Sequence, residues 1–451
     1  MEEIEVKGNK KIIKAWVLYD WANSVYPLII SSAIFPILFE TKTSIKDKIS
    51  GKTIYDTISF FGFEFKNTEF YAYLICLSYI VVAILSPIFS GIADAGGRRK
   101  LFMQIFCYTG ALSSGLLYFF NADNHGVDYT PFELGISILP LFIASIGFWG
   151  SLVYYNSYLP EIADYKDHDK ISARGFSMGY LGSSILLIII LILTVFTKTI
   201  PIKFAFPLVS IWWIAFASYS FYYLPKTKIL EVKRGGNILS SGFKELASVF
   251  RNIQQNKILK RFLSSYFMYN MAVQTIMVMA VAFANKEIIG IKSADLIISI
   301  LIIQFLGIAG AFLMSKLSSR IGNIKTIGLA ILIWIGLCLA VYSLVYKPWQ
   351  FYIAAAVVGL VMGGIQSVSR STYAKLLPET NDLTSYFSFF DLAEKIGLAI
   401  GTLTFGIIEG YLDIRSSILA LVIFFVSGFL LLLLVPHSER LGHRARKVAD
   451  R

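Results

Sequence analysis

Ser90-Gly-Ile-Ala-Asp-Ala-Gly-Gly-Arg-Arg-Lys100 closes one long apolar run, 69–92, and opens the next, 101–120. Between two segments fit for hydrocarbon it sets an acid, a pair of glycines and three consecutive bases. Two physical readings follow. Asp94 can accept charge-assisted hydrogen bonds from basic or backbone donors and so tie two elements together. The other reading is a turn whose Arg98, Arg99 and Lys100 only fix topology. In both, the stretch is a short loop between membrane spans.

The rest of the chain agrees. Of 451 residues, 56% are apolar and 16% charged, with a mean hydropathy of +0.65. Soluble domains carry about 25% charged residues, so this is an integral membrane protein. Runs long enough to cross about 30 Å of hydrocarbon occur twelve times. They fall at 15–39, 69–92, 101–120, 134–158, 175–197 and 204–224, then 262–283, 293–315, 326–346, 349–373, 384–408 and 416–435. The longest polar interruption beyond residue 70 divides them six and six. It predicts an N-terminal bundle (1–224), a linker (225–261) and a C-terminal bundle with a basic tail (262–451). Within the linker, 241–254 predicts an amphipathic helix lying along the membrane surface.

The net charge of +12 is a matter of topology, because Lys and Arg sit mostly in short loops. With the N-terminus inside, 28 of them fall on the inner side and 11 on the outer. Both termini are therefore expected in the cytoplasm. No nucleic-acid partner is expected. Residues 1–14 are charged and the run behind them is too long for an h-region, so no cleavable signal peptide is expected. Cys76, Cys107 and Cys338 lie in three different runs without metal-type spacing and read as packing residues. The outer loop 41–67 is long; its stretch 53–66, aromatic and β-branched around Gly62, predicts a short hairpin. That hairpin either gates the outer mouth or caps it.

The two halves echo each other. Tyr158-Leu-Pro-Glu161 ends the fourth span and Leu376-Leu-Pro-Glu379 the tenth, an offset of 218 residues (379 − 161). Phe176-Ser-Met-Gly-Tyr-Leu181 parallels Phe387-Ser-Phe-Phe-Asp-Leu392, and Gly97-Arg-Arg-Lys100 has a weaker counterpart in Gly322-Asn-Ile-Lys325. Three matches in the same order at equivalent positions indicate a duplicated six-span unit.

That plan resembles the major facilitator transporters, whose parallel halves rock about a midplane site. Asp94, Gly97, Arg98 and Arg99 fit the superfamily's loop signature, although its first glycine falls on Ser90 and Gly91 is displaced by one. The resemblance gives these four the role of a conformational latch that does not touch substrate. Ala15-Trp-Val-Leu-Tyr-Asp-Trp-Ala-Asn-Ser24, Tyr155-Asn-Ser-Tyr-Leu-Pro-Glu-Ile-Ala163 and Gly364-Ile-Gln-Ser-Val-Ser-Arg-Ser371 are similar to the Unknown Major Facilitator family. That family includes the autophagy-related vacuolar amino-acid efflux proteins of fungi. The resemblance runs from span one to span eleven. It implies an all-α fold of twelve transmembrane helices in two pseudo-symmetric six-helix bundles. It also implies export of amino acids or similar small polar metabolites by alternating access, across a cytoplasmic membrane or, in a fungus, a vacuolar one.

Polar groups inside the spans carry the chemistry. Asp20, Asn23, Ser24, Pro27 and Ser31 share one face of the first span. An ionised group at bilayer depth costs roughly 2.5–3.5 kcal/mol, so such a face belongs to a cavity or to the headgroup interface. Arg370 lies in span ten with Gln366 one turn further along. In span eleven, Asp391 and Lys395 sit at i, i+4 and predict an intrahelical pair, which leaves Glu394 and Arg370 as partners across two helices. Tyr266, Asn270 and Gln274 recur at four-residue spacing in span seven, Gln304 lies in span eight, and Tyr154, Tyr155 and Asn156 end span four. In the major facilitator plan spans one, four, seven and ten line the cavity. Asp20, Asn23, Tyr155, Asn270, Gln274, Gln366 and Arg370 should therefore converge. The ion network is either a fixed buried structure or a switch in which a substrate carboxylate competes for Arg370 and a proton on Glu394 or Asp391 releases it. Gly175, Gly179 and Gly182 form a small-residue stripe suited to close helix packing.

The sequence has no phosphate-binding Gly-x-x-x-x-Gly-Lys-Ser/Thr loop, so ATP-driven transport is not expected. His125, His168, His437 and His443 all fall in loops or tails, so proton coupling would rest on carboxylates. A nucleophile–base pair, a metal-ligand cluster in the spans and an appended soluble domain are all missing, which argues against an enzyme or a sensor. No cofactor is expected. The partners expected are a small solute, the bilayer and a coupling proton or sodium ion, with the chain a monomer. A proton-coupled permease for a sugar, drug or amphipathic metabolite fits the same residues.

Overall fold

A computed structural model of the chain describes residues 6–46, 53–55, 57–120, 131–226 and 238–436. His125, His437, His443, the linker from 227 to 237 and the basic tail lie outside the described residues. Span one is α1 (Lys10–Asn23), a π-helical stretch at Tyr26–Ile34 and α2 (Phe35–Thr43). Pro27 and Pro36 enter the two later segments at their starts, and a proline removes a backbone donor and pushes away the carbonyl one turn earlier. The wide turns are the outcome, and such turns cluster at functional sites.

The first half continues with α3 (Asn67–Ala95), α4 (Arg99–Leu116), α5 (Pro131–Ser157), the single turn α6 (Leu159–Ile162), α7 (His168–Leu191) and α8 (Ala205–Tyr223). After α9 (Ile238–Gln255) come α10 (Lys257–Glu287), α11 (Ser293–Ile321), α12 (Asn323–Leu344), α13 (Pro348–Leu376), α14 (Leu383–Tyr411) and α15 (Ile414–Leu433). Eleven helical segments among the described residues are long and apolar enough to cross a bilayer. The twelfth crossing, α14, has 29 residues and carries Asp391, Glu394 and Lys395 within it. At 1.5 Å per residue that length is ample for ~30 Å of hydrocarbon.

In the first half α4 packs on α5 and α8, and α1 on α7 and α8; in the second, α10 packs on α14 and α15, and α12 on α13 and α15. The halves meet chiefly along α3–α14 and α7–α11, with α7 also touching α13 and α5 touching α14. The duplicated loop is visible in the backbone. Gly97 has φ +60° and Gly322 φ +88°, so each short loop turns through the left-handed region that glycine adopts freely.

On the loop between α2 and α3, β1 (Ile45–Lys46) pairs with β2 (Thr53–Tyr55), and β3 (Thr57–Phe60) with β4 (Phe63–Lys66) in antiparallel register, Phe60 opposite Phe63. Phe61 and Gly62 both have positive φ, as a two-residue turn of the right hand requires. Phe60 and Phe65 pack on Phe70 at the start of α3, which fastens the hairpin to that helix end.

The linker helix α9 buries Val249 and Ile253 against protein, touching α3, α10 and α14, while Phe243 and Phe250 on it are exposed. One expectation changes here. His168 is no loop residue. It opens α7, buried, with Nε2 3.3 Å from the Ala163 carbonyl.

Candidate functional site

Between the halves lies a cavity of about 540 Å³. Its wall runs along span one from Asp20 to Pro36, and at the far end the exposed Ser32 and Val281 line its mouth. At the other end, where the N-terminus and α9 lie, contacts between the halves close it. Asp20, Asn23, Ser24, Pro27 and Ser31 all face the cavity, as their spacing on one helix face requires. Asn156, Asn270, Gln274, Gln304, Gln366, Arg370 and Glu394 join them from the other walls. Tyr155 stands behind Asp20 and outside the lining; Asp391 and Lys395 are buried behind Glu394.

The floor is an ion pair between the halves. Arg370 on α13 reaches Asp20 on α1, with Nη1 and Nη2 each 3.4 Å from Oδ2. Its other donors go to Ser172 on α7, Nε to Oγ at 3.0 Å and Nη2 to the carbonyl at 2.9 Å, and Nη1 also reaches Asn156 Oδ1 at 3.2 Å. Tyr155 Oη donates to Asp20 Oδ2 at 2.7 Å. The guanidinium is stacked near Phe176, 4.1 Å from the ring centre, and Trp16, at 4.8 Å. Trp16 is held in turn against Tyr155, rings 4.6 Å apart, and donates Nε1 to the Tyr155 carbonyl. Both charges are nearly buried, Asp20 at 6% and Arg370 at 4% exposure.

The expected pairing of Arg370 with Glu394 is therefore wrong. Because α13 lies against α7, the guanidinium points into the other half, away from α14. Glu394 is satisfied by Tyr266 Oη at 3.0 Å and Lys395 Nζ at 3.3 Å. Lys395 also bridges to Asp391 at 3.1 Å, the expected intrahelical pair, and sits 3.5 Å over the Trp149 ring. Two carboxylates thus share one ammonium, with Glu394 toward the cavity. One turn above the floor, Gln366 accepts from Tyr180 Oη at 2.9 Å, again from the opposite half.

The small-residue stripe has a purpose at the floor. A Cβ on Gly175 would overlap Asp20 Oδ2 and lie 2.9 Å from Arg370 Nη2 and 3.1 Å from Tyr155 Oη. Gly175→Ala should therefore cut transport by at least ~10-fold, equivalent to 1.4 kcal/mol of lost binding or gating energy. Gly336→Ala, whose Cβ meets nothing within 4 Å, is the matched control and should transport normally. Flux in proteoliposomes at equal protein loading decides it; parity of the two variants would remove Gly175 from the site.

Below the floor, two acids tie the closed end. Asp94 Oδ2 accepts from the backbone N–H of Ser385, 2.7 Å away in the first turn of α14. The α14 N-cap, Asp382, makes no side-chain cap of its own, so the other half supplies it. Only Asp94 of the four signature residues crosses between halves. Gly97 makes the turn, Arg98 is exposed at the start of α4, and Arg99 pairs with Glu161 and donates to the Ser157 carbonyl within its own half. The second acid was not legible beforehand. Asp169, at the start of α7, accepts from Lys375 Nζ at 2.6 Å, Asn323 Nδ2 at 2.7 Å and Ser318 Oγ at 3.0 Å, all from the second half. Its one sequence signal is that Asn323 follows the duplicated Gly322.

A family model described as vacuole effluxer Atg22 like matches residues 8–443. The chain belongs to this family. In Bacillus subtilis the uncharacterized MFS-type transporter YxiO is 29% identical over 439 residues, spanning 94% of each chain. Autophagy-related protein 22 of Yarrowia lipolytica is 25% identical, spanning 87% of this chain and 79% of its own. The solved structure of the MFS transporter FucP in the outward conformation superposes with a TM-score of 0.65 at 15% identity, over 94% of this chain and 98% of FucP. Family and fold together make this Atg22-like protein a multi-pass secondary transporter of the major facilitator type. The Asp20–Arg370 pair is the floor of the cavity between its two halves.

Proposed function

We propose that this transporter exports amino acids or similar small zwitterionic metabolites by alternating access, with the end that bears both termini in the cytoplasm. The observation that carries the reading is the Asp20–Arg370 pair joining the halves at the cavity floor. Breaking a buried pair by removing one partner costs about 3–5 kcal/mol. A solute carboxylate that takes over Arg370 supplies the replacement charge and unties the floor in one step. Glu394, with Tyr266, offers the complementary pole for an ammonium group. The aromatic wall of Trp149, Phe176, Tyr180 and Phe390 supports solutes with an apolar side chain. Carboxylates are the groups available for proton coupling, since no histidine lines the cavity among the described residues.

Efflux as the direction rests on the family description, which names efflux from a vacuole. Purified protein in liposomes, loaded with an amino-acid panel under imposed pH and sodium gradients, tests all parts together. Substrate-specific amino-acid flux that responds to one gradient is the expected result. Flux of sugars or drugs with none of any amino acid would overturn the substrate class, and flux indifferent to both gradients would overturn the coupling.

A further inference from the structure

We propose that the linker helix α9 is a proton-sensitive strap that holds the terminal end of the cavity shut. This rests on the alternating-access reading but on neither the solute nor the direction of transport.

The strap is seated on both halves. Against α3 the two backbones touch through a glycine pair: a Cβ on Gly91 would lie 2.6 Å from the Gly242 carbonyl oxygen, and one on Gly242 would lie 3.0 Å from Ile92 N. No larger residue fits that crossing. On the other half, Phe250 packs against Phe389 of α14 with ring centres 5.8 Å apart, and α9 also touches α10. Val249 and Ile253 are buried beneath. A helix fastened to α3 and to α14 cannot stay on both when those two helices separate, so opening this end must lift α9 from one of them.

The acidic residue on the seated face is Glu245. It points at the first turn of α14, where it meets Asp382 and Ser385, and at Asp94 from α3. Its Oε1 is buried without a hydrogen-bond partner. Lys244 and Arg251 on α9 are exposed, and Arg99 acts on Asp94 from α4. Three carboxyl groups crowded at one helix start are tolerable when one of them is neutral. Burial, with the like charges of Asp382 and Asp94, raises the Glu245 carboxyl from an ordinary 4.5 to about 8.

The sign follows. Closed, Glu245 keeps its proton up to about pH 8; once α9 lifts, the group is solvated and loses it from about pH 4.5 upward. Between those values the closed end binds more protons, so its advantage is complete at the acid limit and is lost as pH rises through 8. Acid on that side clamps the strap; alkali releases it.

The test uses the full chain, its three cysteines replaced, with spin labels at Lys166 and Ser319, exposed positions on opposite halves near this end. Pulsed dipolar distances are recorded in lipid nanodiscs from about pH 6 to pH 9. The closed-to-open ratio of the otherwise native chain should fall by at least ~10-fold over that range. Glu245→Gln, permanently neutral, should stay closed over more of the range with a clearly shallower profile than the native chain, the residual slope coming from the Asp94 and Asp382 carboxyls beside it. Gly242→Val, which unseats the crossing, should be open even at the acid end. A Glu245→Gln profile that titrates like the native one, or no pH effect in the native chain, overturns the proton switch. A closed Gly242→Val overturns the strap.

Discussion

Arg370→Ala should abolish solute flux and lower the melting temperature, and adding Asp20→Asn should restore the melting temperature but not the flux. The two readouts separate because the pair has two roles. In the resting protein Arg370 neutralises a carboxylate that is 6% exposed, and it spends donors on Asp20, Ser172 and Asn156. Truncating it strands Asp20, a loss of about 3–5 kcal/mol for a buried charge left unpaired. Converting Asp20 to its neutral isostere removes the stranded charge, so most of that loss should return. Flux does not return, because a solute carboxylate has lost the cation it would bind. Thermal unfolding in detergent and uptake by liposomes with the same preparations measure both. A double variant that transports would show that Arg370 only balances Asp20; a single variant as stable as the native chain would show that Asp20 is not buried as a charge.

Why the presence of Arg370 was legible and its partner was not is instructive. A cation in the middle of an apolar run must be functional or paired, whatever the fold. Its partner depends on which face of α13 meets which neighbour, and adjacency in sequence favours the wrong answer, since α14 follows directly. The polar stripe on span one was legible because its period is local, as was the hairpin around Gly62. Asp94 stood out as an acid between a helix end and three bases. That its acceptor role is toward a backbone N–H of the other half follows only from the packing of α3 on α14. Asp169 and Lys375 were lost in charged loop ends, where side chains are ordinarily solvated. The linker helix was recognisable by its pattern, yet an apolar stripe cannot say whether lipid or protein will cover it.

Asp169→Ala should shift this transporter toward a state open at its terminal end, and by more than Asp94→Asn does. Asp169 collects three donors from the second half, among them Lys375, whose ammonium is 12% exposed at the side chain. Without the carboxylate that ammonium is stranded for as long as the end stays closed, and opening solvates it. A stranding cost of about 3 kcal/mol corresponds to a population shift of roughly 10²-fold. Asp94 is different. Its partner is a backbone N–H, and an asparagine carbonyl can accept the same bond, so Asp94→Asn loses only the charge-assisted part, on the order of 1 kcal/mol. A cysteine at Gln366, one turn above the floor, reports the shift: a membrane-impermeant thiol reagent should reach it from the terminal side in Asp169→Ala and scarcely in Asp94→Asn. Unchanged access in Asp169→Ala would mean that the Asp94 contact and the floor pair suffice to keep the end closed. Equal access in both variants would mean that negative charge at the two helix starts, not the geometry of either hydrogen bond, holds the halves together.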